Sequence, residues 1–179
     1  PHIVDLANFL NTCGARIVGA GTDTIKIRGV EKLHGSTYAI IPDMIEAGTF
    51  MCAAAATGGN VKINNVIPKH LDSISAKLTE MGVFVEELDD AVIVRRDGAM
   101  KGINVKTQPY PGFPTDMQPQ MTALLCFADG TGRVTEGVWD NRFRYVEELR
   151  KTGAVIDIAG KTATVRGSTA LVGAPMRSV

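Results

Sequence analysis

The stretch Phe113-Pro-Thr-Asp-Met-Gln-Pro-Gln120 carries residue types that could do chemistry. Pro114 restricts the approach of the chain, and Asp116 stands just before an apolar run with helical spacing. A carboxylate held by a rigid loop at a cleft can take a proton from a substrate hydroxyl. The plain alternative is a helix start. Thr115 then caps the helix, Gln118 completes a capping box three residues on, and Asp116 in the first turn complements the helix dipole. A second stretch is Trp139-Asp-Asn-Arg-Phe-Arg144. Arg142 and Arg144 fall near a predicted helix start, where the dipole disfavours a cation unless an anion is present. A guanidinium donates two parallel hydrogen bonds to phosphate or carboxylate. The bland reading is a solvated surface arginine. Trp139, the only tryptophan, is equally free to serve as packing.

Other constellations are weaker. Cys13, Cys52 and Cys126 are odd in number and far apart, with no CxxC, and His2, His34 and His70 are scattered. A zinc site needs clustered ligands, so the cysteines read as small core hydrophobes, and a reducing, cytoplasmic compartment fits. Gly58-Gly59 and Gly19-Ala-Gly21 match no phosphate-binding pattern and read as turns. No Ser-His-Asp or Cys-His arrangement stands out. With 19 Lys+Arg against 19 Asp+Glu in 179 residues, the formal charge is zero, which argues against a non-specific nucleic-acid binder. The longest apolar run, Phe50 to Ala56, is far short of the roughly 20 residues that span a bilayer. The chain opens on Pro1 rather than Met, which reads as a processed or excised piece.

The elements that must position the two stretches form an internal repeat. A short amphipathic helix, a Gly and an apolar strand recur around Gly14, Gly82 and Gly153, about 70 residues apart. Each time a second strand follows and runs into a basic residue: Ile25 to Arg28, Val92 to Arg95, Ala163 to Arg166. Each Gly is placed to end its helix in the left-handed conformation. In the first helix the apolar positions are Ile3, Leu6, Ala7 and Leu10.

An earlier half-unit is also repeated. Tyr38 to Ile41 reads as a strand, Met44 to Ala56 as a helix capped by Asp43, and Val61 to Ile63 as a strand. The counterparts are a strand at Ile103 to Val105, a helix from Thr115 to Ala128 and a strand at Val134 to Glu136. A whole unit is therefore β-α-β-α-β-β, and the fold class is α/β (α+β) with about two and a half units present. The Pro-rich segment Lys106 to Asp116 and the segment Gly137 to Arg142 depart from the repeat, which marks them as function candidates. On the residues alone the chain is a repeated α/β domain with an Asp loop and an Arg loop, suited to an anionic ligand.

Phe113-Pro-Thr-Asp-Met-Gln-Pro-Gln120 followed by Glu136-Gly-Val-Trp-Asp-Asn-Arg-Phe143 closely resembles the signature of the enolpyruvyl transferases, in the branch acting on UDP-N-acetylglucosamine. Ile41-Pro-Asp-Met-Ile-Glu-Ala-Gly-Thr-Phe50 and His70-Leu-Asp-Ser73 extend the match over essentially the whole chain. The resemblance implies an inside-out barrel of β-α-β-α-β-β units, three to a domain, with helices inside. It implies transfer of enolpyruvyl from phosphoenolpyruvate to the 3′-hydroxyl of UDP-N-acetylglucosamine with release of phosphate, the first committed step of bacterial peptidoglycan synthesis. It implies no metal or organic cofactor, no nucleic-acid partner and no membrane.

Residue by residue, Asp116 resembles the family's base at the sugar hydroxyl, and Thr115 its neighbour in the sugar-nucleotide site. Val138 aligns with a backbone contact to the sugar nucleotide, and Arg142 with an arginine that binds phosphoenolpyruvate. The sister branch acting on shikimate 3-phosphate and a non-catalytic sugar-nucleotide-binding fragment are the alternatives. A complete family member is more than twice this length. Residues 1–41 then resemble the end of one domain with the interdomain crossing, and 42–179 most of the other, with repeat units at about 31–98 and 99–167. The family's N-terminal Lys-Asn segment, reactive loop Cys and C-terminal Arg have no counterpart here. The missing remainder of the same polypeptide is therefore an expected partner, and the fragment alone is expected to be inactive.

Overall fold

The structure, a computed structural model, describes residues 1–167 and 170–178. The chain divides into two compact units, Pro1–Pro42 and Asp43–Val179. In the first, helix α1 (His2–Thr12) precedes strands β1 (Arg16–Val18) and β2 (Lys26–Arg28), which pair antiparallel with Ile17 opposite Ile27. The Tyr38 hydroxyl donates to the Asp5 carboxylate at 2.7 Å, and the Phe9 and Tyr38 rings lie 5.6 Å apart.

One expectation fails in this unit. Tyr38 to Ile41 is not a strand, because among the described residues no strand runs beside it to take its backbone hydrogen bonds. The apolar face of α1 is only partly covered. Ala7 is buried, but Ile3 is 58% and Leu6 51% exposed, because a two-stranded ribbon offers too little surface to cover them.

The second unit contains the repeat. Helix α2 (Met44–Thr57) leads to β3 (Asn60–Asn64), then to α3 (Asp72–Glu80), β4 (Phe84–Glu87) and β5 (Ala91–Arg95). The strands form an antiparallel sheet ordered β3-β5-β4. The next unit runs β6 (Asn104–Lys106), α4 (Gln118–Leu125), β7 (Thr131–Thr135), α5 (Tyr145–Arg150), β8 (Val155–Ala159) and β9 (Thr162–Arg166). Its sheet is ordered β6-β7-β9-β8, with β6 parallel to β7 and the other pairs antiparallel. This is the β-α-β-α-β-β order expected from the repeat.

The helix ends follow from the residues. Asp43 caps α2, its carboxylate accepting from the Ile45 N–H at 2.8 Å, a bond worth about 1 kcal/mol. Gly14, Gly82 and Gly153 take φ of +95°, +92° and +90° at the exits of α1, α3 and α5. A side chain at any of them would be strained.

Helices α2 and α4 pack against each other, each also touching the sheet of its own unit. Met44, Ala47, Met51, Cys52, Ala54 and Ala55 of α2 are all buried, so this helix is covered on more than one face. They join Met117, Met121, Leu124 and Leu125 in one core. All three cysteines are buried and unbridged. Burial pushes the Cys52 thiol up to about 12 and the Cys126 thiol to about 11. Among the described residues no helix is long and apolar enough to cross a membrane.

Candidate active site

The Asp loop leaves the end of β6 and folds back on itself. Thr107 bridges to Phe113, and the Gln108 N–H donates to the Phe113 carbonyl at 2.9 Å. Phe113 is 4% exposed and anchors the loop tip to the core. The chain then makes a single 3₁₀ turn, Thr115–Met117, before α4 begins at Gln118. The continuous helix expected over Thr115 to Ala128 is therefore a 3₁₀ turn plus a shorter α-helix ending at Leu125. Pro119 lies in the first turn of α4, where a missing N–H costs nothing.

The expected capping box does not form: neither the 3₁₀ turn nor α4 has a side-chain cap. The reason is Glu136. Its carboxylate accepts from the Thr115 hydroxyl at 2.9 Å and from the Gln118 side-chain amide. The geometry that points the Thr115 hydroxyl and the Gln118 NH2 at this carboxylate takes both side chains away from the helix N–H groups.

The Arg loop leaves the end of β7. Gly137 approaches Thr107 so closely that a Cβ there would lie 2.4 Å from the Thr107 carbonyl oxygen. The Gly137 N–H donates to the Thr107 hydroxyl at 2.8 Å. Asn141 takes φ of +55°, a left-handed turn that asparagine tolerates better than most residues. Arg144 caps α5 without a side-chain bond. Trp139 does not pack: it is 60% exposed.

The turn at Asn141 aims Arg142 back at the Asp loop. Its Nη2 donates to Asp116 Oδ1 at 2.6 Å, across 26 residues of sequence. Arg142 is thus not a merely solvated arginine. The anion that its place near a helix start calls for is present in the chain itself. Thr115, on the same 3₁₀ turn as Asp116, and Val138, three residues after Thr135 at the end of β7, both contact Glu136.

Behind the pair, the Tyr145 and Thr122 hydroxyls are 2.8 Å apart, and Thr122 donates to the Gln118 carbonyl. That contact ties the start of α5 to α4. Burial is the main reason the Tyr145 hydroxyl is held well above its usual range, so it stays protonated as a donor.

Arg142 and Arg144 line two open clefts. One, about 410 Å³, also includes Trp139, Asn141 and Lys161; the other, about 650 Å³, includes Gln120, Tyr145 and Arg177. Lys161 pairs with Asp140 at 2.7 Å, and this hydrogen bond lowers the Asp140 carboxyl. The first cleft is lined by three cationic side chains, Arg142, Arg144 and Lys161, and by the Glu136 carboxylate, and Asp116 meets it only through its contact with Arg142. Its arginines can hold an anion. Among the described residues no three His, Cys, Asp or Glu side chains cluster to hold a metal ion.

Glu136 and Tyr145 escape sequence reasoning on their own. The signal for Glu136 is its register. Gly132 and Val134 face inward from β7, so a charged residue at 136 falls on the same buried side.

Comparison with known proteins agrees with this architecture. The family model described as EPSP synthase (3-phosphoshikimate 1-carboxyvinyltransferase) matches residues 1–179. UDP-N-acetylglucosamine 1-carboxyvinyltransferase 3 of Caldanaerobacter subterraneus subsp. tengcongensis is 60% identical over 98% of this chain and 42% of its own. A relative of the same enzyme name from Clostridium botulinum is 57% identical over 99% of this chain and 43% of its own. Another from Desulfofundulus thermocisternus is 55% identical over 97% of this chain and 72% of its own. The chain thus spans less than half the length of the first two relatives.

The crystal structure of the enolpyruvyl transferase NikO from Streptomyces tendae superposes with a TM-score of 0.77 at 27% identity, over 93% of this chain and 40% of that one. EPSP synthase from Acinetobacter baumannii shares the fold at 18% identity, with a TM-score of 0.57 over 95% of this chain and 40% of its own. With a family model matched end to end and NikO superposing on most of its length, the chain belongs to the EPSP synthase family of carboxyvinyltransferases.

Proposed function

We propose that the whole protein transfers enolpyruvyl from phosphoenolpyruvate to the 3′-hydroxyl of UDP-N-acetylglucosamine and releases phosphate. The observation that carries the reading is the 2.6 Å contact between Asp116 and Arg142, whose guanidinium also lines a cleft with Arg144 and Lys161. It joins a base to an anion-binding group, the two functions this reaction needs. Asp116 accepts the proton of the sugar hydroxyl during addition to the enolpyruvyl carbon. Arg142 holds phosphoenolpyruvate, with Thr115 and the Val138 backbone beside the sugar nucleotide.

The pair is a resting arrangement. An incoming anion engages the Arg142 fork and loosens its hold on Asp116. The carboxylate is then free to face the sugar hydroxyl.

In this reading residues 1–41 close the first domain with the interdomain crossing, and 42–179 form most of the second, with repeat units at about 31–98 and 99–167. The protein works in the bacterial cytoplasm, in peptidoglycan synthesis and, through it, in cell shape and division. No organic or metal cofactor takes part.

The test is phosphate release by the full-length protein, given phosphoenolpyruvate with either UDP-N-acetylglucosamine or shikimate 3-phosphate. Release that needs the sugar nucleotide is the expected result. Release with shikimate 3-phosphate moves the protein to the sister activity, and none with either leaves a sugar-nucleotide-binding fold.

A further inference from the structure

We propose that Glu136 is the positioning residue of this site: one ionised carboxylate that holds the Asp116 loop and the Arg142 loop at working distance. The inference rests on the functional reading above, and goes beyond it by assigning a role to a residue at the wall of the first cleft whose carboxylate is engaged within the protein.

Glu136 is 2% exposed, the one charged side chain among the buried residues described. Its Oε2 accepts from Thr115 Oγ1 at 2.9 Å and from Gln118 Nε2. Its Oε1 accepts from the backbone N–H groups of Val138 at 2.7 Å and Trp139 at 3.0 Å. One oxygen therefore serves the Asp loop and the other the Arg loop. Its own N–H donates to the Lys161 carbonyl at 2.8 Å, which fixes it to the β8–β9 turn.

A carboxylate has about four acceptor sites, and these hydrogen bonds, with the Thr107 hydroxyl also turned toward the group, leave none open. None is left to accept a substrate proton, so the role is positioning rather than acid–base chemistry. A neutral amide does not do this. A glutamine there keeps its oxygen on the Val138 and Trp139 N–H groups and turns its NH2 to Thr115 and Gln118, which must reverse to present oxygens, so every charge-assisted bond becomes a neutral one of about half the strength. Both loops are then held less firmly. A displacement of about 1 Å at a reacting centre costs on the order of 100-fold in rate.

Two readouts test this. In the 179-residue chain Trp139 is the only tryptophan, and its own N–H is one of the four donors. Its fluorescence anisotropy reports loop order without any assay of activity. Glu136→Gln is expected to lower that anisotropy while the far-ultraviolet circular dichroism stays unchanged. In the full-length transferase the same change is expected to lower kcat per folded molecule about 100-fold. The exchange Glu136→Gln with Gln118→Glu restores matched partners: the new amide donates to the new carboxylate and accepts from Val138 and Trp139. It is expected to recover at least tenfold of the lost kcat, which a general loss of stability would not do.

Wild-type anisotropy in Glu136→Gln overturns the proposal. So does a fall in kcat without a change in anisotropy, which would point to a direct chemical role. If Glu136→Gln does not fold, the exchange decides: recovery of kcat supports the proposal, and a folded but inactive exchange overturns it. If the wild-type protein shows no turnover, the functional reading fails, and Trp139 anisotropy alone decides the place of Glu136.

Discussion

Asp116 and Arg142 are joined side chain to side chain at 2.6 Å although each is substantially exposed, 63% and 38% respectively. Exposed ion pairs contribute about 0–1 kcal/mol to stability. The pair is therefore cheap to break, which suits groups that must exchange partners when substrate arrives.

This predicts a separation of activity from stability. Asp116→Ala in the full-length protein is expected to lower kcat by at least about 100-fold, the usual worth of a positioned base, with thermal melting almost unchanged. A kcat within a factor of a few of wild type removes Asp116 from the base role.

Arg142→Lys keeps the charge but loses the planar fork. Loss of a charge-assisted hydrogen bond costs about 1.5–3 kcal/mol, so the KM for phosphoenolpyruvate is expected to rise by at least about tenfold. Steady-state kinetics at saturating sugar nucleotide measure it. An unchanged KM means the anion is held elsewhere.

The 179-residue chain on its own is expected to show no transferase activity. It spans 42% of the length of its Caldanaerobacter relative, and catalysis needs a cleft closed on both sides to exclude water. Turnover of phosphoenolpyruvate above contaminant level, measured by phosphate release, contradicts this.

Gly137→Ala places a Cβ 2.4 Å from a backbone oxygen, which no side-chain rotation can relieve. The Arg loop has to move. Loss of activity together with a melting temperature several degrees lower is expected, from a strain of about 1–3 kcal/mol. Differential scanning calorimetry and the phosphate assay check the two parts.

Glu136 also sets a pH dependence. Burial raises its carboxyl, but the N–H groups of Trp139 and Val138 and the hydroxyls of Thr107 and Thr115 outweigh it and hold the group below its ordinary value of 4.5. A depressed carboxyl contributes stability that is present above 4.5 and lost as pH falls through the folded value. The stability advantage of wild type over Glu136→Gln is therefore expected to be constant near neutrality and to shrink below pH 4.5. Melting curves of both across that range test the sign.

The repeat was legible because a single residue type marks it. Gly14, Gly82 and Gly153 each end a helix at positive φ, and each is followed by a strand pair. The two loops were legible as departures from that repeat, but their meeting was not. Nothing in the spacing of Asp116 and Arg142 says that a turn at Asn141 will aim one at the other. Of the two readings of Thr115, the capping box is the one that fails, because local pattern cannot see a buried acceptor 21 residues away. Tyr38 to Ile41 was misread because a strand is a property of a pair, not of a segment. Ile3 and Leu6 show the same limit: helical spacing identifies an apolar face but not what covers it.

The buried cysteines carry a practical consequence. With the Cys52 thiol at about 12 and the Cys126 thiol at about 11, the reactive thiolate is a fraction on the order of one in ten thousand or less at neutral pH. Cys13 is sequestered as well. Alkylating reagents will pass over all three in the folded chain. A cysteine introduced on the Arg loop would then take a spectroscopic label without prior removal of the native thiols, and the distance across the cleft could be followed as ligands bind.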